Sequence, residues 1–416
     1  MSTSVAPLEA VLPATQPLAA NWHTAPRRWG HPLHGVCSYF AMFPPQLARY
    51  MIEWLTEPGD LVYDPFSGRG TTALESVRLG RAALASDANP LSVALSQAKV
   101  RIPSLSQAAR RVRKLRAGFL PAHVAIEGEP DDIRMLYSDH TLRQLVYLKA
   151  ALRRGHPVDS LIIAVCLGML HANHSSSGAT AGFSISMPNA FAMSPGYVRG
   201  YIAEHGLVRP DVDVFTMVED KLGRLGLPDE PIDAGRAWAQ DATSLPPKAL
   251  RDRPADLVLT SPPYLQVIQY GKYNWVRLWF LGAPPKEVDA LLMSSGSLPK
   301  YHAFMDAVLR RIRTVVSDDG FVCLVIGDVR RKGVDLDLAQ SVWGHVASKQ
   351  GWHLHGIYPD NIPVQHKVSR IWKNQPGKAT KVDRLLLVSP SPRDLPERIT
   401  VGWERLSGFG KDPTPT

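Results

Sequence analysis

Cysteine is scarce, with three in 416 residues, Cys37, Cys166 and Cys323, and no CxxC pair among them. This excludes a disulfide scaffold and a cysteine zinc site, fits a reducing compartment, and makes the three thiols small core fillers. The histidine pairs His31/His34 and His171/His174 lack the i, i+4 helical spacing and third ligand of a zinc site, so no metal is expected. Long apolar runs are missing too. The longest, residues 161–170, is about half of what a bilayer span needs. The first twenty residues have neither the basic start nor the apolar core of a secretory signal, so the expectation is a soluble cytoplasmic protein with no membrane partner. No internal repeat is visible. What is present is the balance of a folded protein, 45% hydrophobic and 20% charged. The charge sum, 47 − 38 = +9, suits a polyanionic partner.

Residues 1–20, rich in Ala, Pro, Ser and Thr, read as a loose tail. Leu47, Tyr50, Met51, Trp54 and Leu55 then repeat at the spacing of an amphipathic helix, which Glu57-Pro58-Gly59-Asp60 ends. Leu61-Val62-Tyr63 reads as a strand, Asp64-Pro65-Phe66-Ser67-Gly68-Arg69-Gly70 as a glycine turn, and Thr71 or Thr72 as the cap of a helix. A second strand, 82–86, ends in Asp87, and Asn89-Pro90 opens another helix. Strand, glycine turn, helix, strand and acid form a βαβ unit of a doubly wound sheet. Residues 101 to about 235 break the alternation with helices at 141–154 and 161–171 and a Ser/Gly/Met-rich stretch at 174–195. Strands resume with one ending at Asp241, then 256–260, 321–326, 353–358 and 384–388. The expectation is one α/β domain, 21–100 plus 236–395, interrupted by a mostly helical insertion, 101–235, with a C-terminal tail at 396–416.

Two turns carry the chemistry. Gly68 and Gly70 let the backbone approach a ligand closely, and Asp87 stands where a carboxylate would accept ribose hydroxyls. Asp64 would repel a pyrophosphate but suits a cation or amine. No Walker lysine follows the turn, which excludes a nucleoside triphosphatase. The polarity matches S-adenosylmethionine, with its sulfonium, ammonium and ribose groups. The second turn, Thr260-Ser261-Pro262-Pro263-Tyr264, follows directly on a strand. Its prolines stiffen the backbone and leave carbonyls without competing N–H groups. Tyr264 offers a flat face to a planar ring, which together makes a pocket for the exocyclic amine of a nucleobase.

Asp64 through Thr72 resembles the cofactor motif of the amino-directed DNA methyltransferases, and Thr260 through Tyr264 resembles their catalytic motif, in the Ser-Pro-Pro-Tyr form of the cytosine-N4 branch. The resemblance implies a Rossmann-like class I methyltransferase sheet. It implies S-adenosylmethionine held by Phe43, Pro44, Asp64, Pro65, Phe66, Gly68, Gly70, Thr71, Thr72, Asp87, Ala88, Asp241 and Ala242. Catalysis then falls to Ser261, Pro262, Pro263 and Tyr264, with the Ser261 hydroxyl and Pro262 carbonyl accepting the two amine N–H groups and Tyr264 stacking on an extruded base. The implied partner is double-stranded DNA, in a prokaryotic cell, and a cognate restriction endonuclease is compatible with it. Adenine-N6 and RNA base-amine methylation remain as alternatives. A covalent cytosine-C5 reaction is not expected, because each cysteine follows valine and none adjoins a motif. The insertion is the candidate target-recognition region. Arg330, Arg331 and Lys332, and the run holding Lys367, Arg370 and Lys373, follow sheet elements and are candidates for phosphate contact. The basic run 110–116 reads as a solvated face. Tyr273, Asn274, Trp275 and Trp279 read as helix core, with Tyr270 the exception near the second turn.

Overall fold

The computed structural model describes residues 30–39, 43–172, 182–187, 193–244, 250, 252–263, 265, 269–293, 295–331, 334–361 and 382–397. One sheet is built from β1 (Leu61–Asp64), β2 (Ala82–Asp87), β3 (Gly235–Ala239), β4 (Ala255–Thr260), β5 (Val316–Gly327), β6 (His353–Asn361) and β7 (Val382–Ser389). Its order is β6-β7-β5-β4-β1-β2-β3. β1, β2, β3, β4 and β5 run parallel, and β7 lies antiparallel to both β5 and β6. This is a doubly wound Rossmann-like sheet, as expected, with the chain reversing direction across the sheet between β1 and β4.

The central strands are apolar throughout because both faces are covered. Along β5, Phe321, Cys323 and Val325 point to one face and Val322, Leu324 and Ile326 to the other, and all six are buried. Helix α1 (Pro45–Leu55) covers the first face, with Leu47, Met51 and Ile52 against Val62, Leu257 and Leu259. Residues of a later helix, 298–313, cover the second through Met305, Leu309 and Ile312. Helices α2 (Thr71–Arg78) and α3 (Pro90–Val100) follow β1 and β2. Pro90 takes the first turn of α3, and the Asn89 side chain caps it by accepting the Leu91 N–H at 3.0 Å.

Between β2 and β3 the chain forms helices, among them α4 (Leu105–Ala117), α5 (Asp139–Ala151), α6 (Pro157–Met169), α7 (Pro195–His205) and α8 (Val214–Gly223). Their apolar faces join α2, α3, Ala83 and Ala85 in one continuous core. Gly168 lets α6 lie against residues 36–37, since a Cβ there would fall 1.9 Å from the Val36 carbonyl oxygen. In the basic run of α4, Arg111 pairs with Asp159 at 2.7 Å and Arg116 with Asp213 at 2.7 Å, while Arg110, Arg113 and Lys114 are exposed.

Three local expectations change. Gly70, with φ +77°, is the N-cap of α2; Thr71 and Thr72 lie inside the helix and neither supplies the cap. β5 starts at Val316, upstream of its apolar run, because exposed Asp318 and Asp319 hid that stretch. α4, α7 and α8 emerge where charge and glycine obscured the helical period.

Candidate functional site: a cleft at the carboxyl edge of the sheet

Ligand crevices in doubly wound sheets open beyond the carboxyl ends of strands flanking the reversal point. Here those strands are β1 and β4, and their ends are tied together directly. The Thr260 hydroxyl donates to the Asp64 carboxylate at 2.6 Å, and the Thr72 hydroxyl donates to the Leu259 carbonyl at 3.2 Å. Both turns therefore border a single cleft of about 130 Å³, lined by Pro65, Phe66 and Gly68 from the first and Ser261, Pro262 and Pro263 from the second. Asp87, Ala88, Asp241 and Ala242 complete the side beneath β2 and β3.

The glycine turn is held by the acid at the end of β2. Asp87 accepts the Gly68 N–H at 2.9 Å and the Asn89 N–H at 2.8 Å. Gly68, with φ +50°, has the cleft-lining Tyr39 ring 3.5 Å from the place a Cβ would take. Gly70 has a different reason to be glycine, because a Cβ would crowd α3, 3.0 Å from Ser96 Oγ and 3.2 Å from Lys99 Cδ. Lys99 is fully buried and donates to the Arg69 carbonyl, and burial holds its ammonium well below the usual range. Arg69 is buried as well, donating to Thr71 Oγ1 at 3.1 Å and to the His34 carbonyl at 3.3 Å. His34 donates to Glu75 on α2 at 2.6 Å, and burial keeps its ring neutral. Behind the turn lies a buried polar scaffold.

Asp64 accepts the Phe66 N–H at 3.1 Å as well as the Thr260 hydroxyl, and it is 1% exposed. Burial pushes its carboxyl up to about 7 and that of Asp87 up to about 6. Asp64, Gly70, Thr71 and Thr72 support the cleft from below and do not line it. Phe43 packs in the core beneath α1, and Pro44 is the N-cap of that helix. Asp241 is exposed at the rim and accepts the Thr243 N–H at 2.8 Å.

The Ser261 hydroxyl donates to the Val325 carbonyl on β5 at 3.0 Å. Its single proton is thereby engaged, and its lone pairs are left for a donor in the cleft. Tyr264, Lys332, Lys367, Arg370 and Lys373 lie outside the described residues. Arg330 and Arg331 occupy a short antiparallel ladder, Val329–Arg331 with Val334–Leu336, which leaves the carboxyl end of β5. That is the edge on which the cleft opens. The chain also leaves this edge at Asn361 and returns at Val382, with Lys367, Arg370 and Lys373 between them.

Several cleft residues had no sequence signal. Tyr39 precedes the first periodic segment; its hydroxyl contacts Ser92 Oγ at 2.7 Å, and its ring lies 5.7 Å from that of Tyr270. Asn89 reads as a helix cap, which it is, but it also lines the cleft, as do Phe304 and residues 291–293. Tyr270 lines it too, whereas Asn274 is buried at the junction of two short helices and Trp275 is a buried helix residue. Elsewhere, burial pushes the Cys166 thiol up to about 12 and raises those of Cys37 and Cys323, so all three are poor nucleophiles.

The donor set suits S-adenosylmethionine. Among the described residues lining the cleft are two carboxylates, an asparagine and a glutamine, with no lysine, arginine or histidine. An anionic cofactor would find no counter-charge, whereas a sulfonium and an ammonium would.

Comparison with known proteins agrees. Residues 13–98 match the DNA methylase model of the N6/N4 methyltransferases. A Type II methyltransferase of Methanocaldococcus jannaschii, M.MjaII, is 31% identical over 68 residues, 16% of this chain and 13% of that protein. The Type II methyltransferase M.XycI of Xanthomonas campestris pv. cyanopsidis is 42% identical over 59 residues, 14% of this chain and 20% of that protein. The matched segments thus span a fifth or less of these relatives' lengths. The crystal structure of TrmN from Thermus thermophilus aligns over 86% of this chain and 52% of that one at 10% identity, with a TM-score of 0.33. No described helix is long and apolar enough to cross a membrane. Motif, sheet order and the match over residues 13–98 all point to the N6/N4 amino-methyltransferases, a family whose cofactor is S-adenosylmethionine.

Proposed function

We propose that the protein methylates the exocyclic N4 amine of cytosine in duplex DNA. The observation that carries this reading is the junction of the two turns, with Gly68 and Ser261-Pro262 in one cleft and the Ser261 proton engaged by Val325. When bound, S-adenosylmethionine supplies an electrophilic methyl group. The protein's part is to make a poor nucleophile competent. An exocyclic amine delocalises its lone pair into the ring, and acceptors on both N–H groups draw the nitrogen toward tetrahedral geometry. The Ser261 oxygen and the Pro262 carbonyl would be those acceptors, with the Ser261 hydroxyl held by its bond to the Val325 carbonyl of the sheet. Orientation of this kind can supply roughly 7–11 kcal/mol of barrier reduction, more than the few kcal/mol needed to extrude a base. Asp87 and Asp241 are the groups that would hold the cofactor's cationic and ribose ends, with Asp64 bracing the two turns beneath them. The helical insertion, 101–235, is the proposed target-reading part, and the basic residues at the carboxyl edge are the proposed phosphate contacts.

The relatives' Type II names support a DNA substrate within restriction–modification, and the Ser-Pro-Pro-Tyr form supports cytosine. The test is transfer of labelled methyl from S-adenosylmethionine to duplex DNA and to RNA, followed by nucleoside analysis. N4-methylcytosine in DNA is expected. Label in N6-methyladenine would overturn the base assignment, and label only in RNA would overturn the substrate class.

A further inference from the structure

Five large hydrophobic residues are exposed among the described residues, Leu105, Leu120, Tyr197, Val208 and Leu291, and of these Leu291 lines the cleft. It is 61% exposed, and Leu292 and Met293, partly exposed, continue the apolar rim beside it. A large apolar side chain held in water at the mouth of the cleft gains nothing for the isolated fold.

Its mounting is stiff. Leu291 ends a short helix, Pro285–Leu291, in which Asp289 accepts the Gly271 N–H at 2.7 Å and the Lys272 N–H at 3.2 Å. The contact is close enough that a Cβ on Gly271 would lie 2.1 Å from the Pro285 carbonyl oxygen. Gly271 is next to Tyr270, whose ring forms the inner wall of the same cleft. A clamp of two charge-assisted hydrogen bonds therefore locks the exposed leucine to the aromatic wall.

We infer that Leu291, backed by Leu292 and Met293, is an apolar wedge that enters the base stack beside the target nucleotide and fills the space left when that base turns into the cleft. This rests on the proposed DNA methylation. Leucine and methionine are suited to the role, because an unstacked base step offers two apolar faces that water solvates poorly, and a side chain without hydrogen-bonding groups covers both. Extrusion is costly when the target is paired and stacked, and much less so when it is already unpaired. A wedge should therefore matter in proportion to pairing.

The full-length protein and its Leu291→Ala and Leu291→Met variants are compared on two duplexes carrying the sequence methylated in cells that express the protein. In one duplex the target base is paired; in the other it faces an abasic site. Leu291→Ala should lower kcat/KM about tenfold or more on the paired duplex and by less than twofold on the other, with S-adenosylmethionine affinity unchanged. Leu291→Met should stay near the native rate on both. Equal losses on the two duplexes, no loss on either, or a weakened cofactor affinity would overturn the wedge. Absence of transfer by the native protein to both duplexes would instead overturn the methylation reading beneath it. The side chain is exposed, so folding of the variants is not at issue.

Discussion

At position 261 a single proton decides what a side chain can do. The Ser261 hydroxyl gives that proton to the Val325 carbonyl at 3.0 Å, so whatever replaces serine must also satisfy that carbonyl. Asparagine can do so, with its NH2 toward Val325 and its oxygen toward the amine. Ser261→Asn should therefore keep kcat within about tenfold, while Ser261→Ala, which loses a preorganised partner, should fall on the order of 10²-fold. An ionised aspartate would set a carboxylate oxygen against a carbonyl oxygen, so Ser261→Asp should be slower than Ser261→Asn near neutral pH and gain as pH falls. Measured kcat for the three variants checks this, and a faster aspartate variant at pH 8 would exclude Val325 as the orienting group. The carboxyls beneath the cleft make a second prediction. Asp64 and Asp87 are raised to about 7 and about 6 by burial, so they stabilise the ligand-free fold fully below the usual carboxylate range and lose that contribution as pH rises through those values. A cationic ligand benefits from the ionised forms. Affinity for S-adenosylmethionine by calorimetry should therefore strengthen between about pH 5 and pH 8, more steeply than for uncharged-sulfur S-adenosylhomocysteine. Asp87→Asn should flatten the curve, and a pH-independent native affinity would rule the effect out.

Elements show why parts of this molecule were readable and others were not. β1, β2 and β4 were legible because burial on both faces makes a short unbroken apolar run, and α1 because its periodic stripe meets a flat sheet. Asn89-Pro90 marked the start of α3 through local capping chemistry that needs no tertiary context. Strand β7, antiparallel to both its neighbours, was visible as a strand, but its direction depends on pairing that no local pattern encodes. α4 was read only as charge, because the three residues that bury it, Ala108, Val112 and Leu115, are outnumbered by basic ones. Tyr39 and residues 291–293 reach the cleft through chain crossings, and a crossing leaves no periodic trace. Gly168 is such a case. Inside a helix, Gly→Ala normally stabilises by about 1 kcal/mol. Here the new Cβ would sit 1.9 Å from a backbone oxygen that cannot rotate away, so α6 would have to move off residues 36–37. Overpacking of this kind costs about 1–3 kcal/mol, which outweighs the propensity gain. Gly168→Ala should lower Tm in a thermal melt, whereas Gly200→Ala, with nothing within 4 Å of its Cβ position, should not. A Tm raised by Gly168→Ala would mean that α6 and this segment are not packed as described.

For the molecule as a whole, charge is distributed against the site. The chain carries a net +9, yet the described residues lining the cleft include carboxylates and no basic side chain. Under the proposed function the positive charge would act around the cleft, where a duplex would lie, and the cleft itself would take a cation. The parallel direction of β5 and β6 makes the carboxyl edge the natural seat for it, since Arg330 and Arg331 follow β5 there and the chain holding Lys367, Arg370 and Lys373 departs from the end of β6. Each phosphate neutralised releases counterions and adds about 0.9 to the slope of log K against log salt. If Arg330 and Arg331 each meet one phosphate, Arg330→Ala/Arg331→Ala should lessen that slope by about 2 on duplex DNA, independent of sequence, and leave S-adenosylmethionine affinity untouched. Arg110→Ala/Arg113→Ala on α4 is the control for general positive charge, because it removes the same net charge from a face whose neighbours Arg111 and Arg116 are already paired with acids. Binding isotherms between about 50 and 200 mM salt separate the alternatives. Equal slope changes in both double variants would mean that the protein attracts DNA by net charge alone, and only a larger change at the carboxyl edge places the duplex across the cleft.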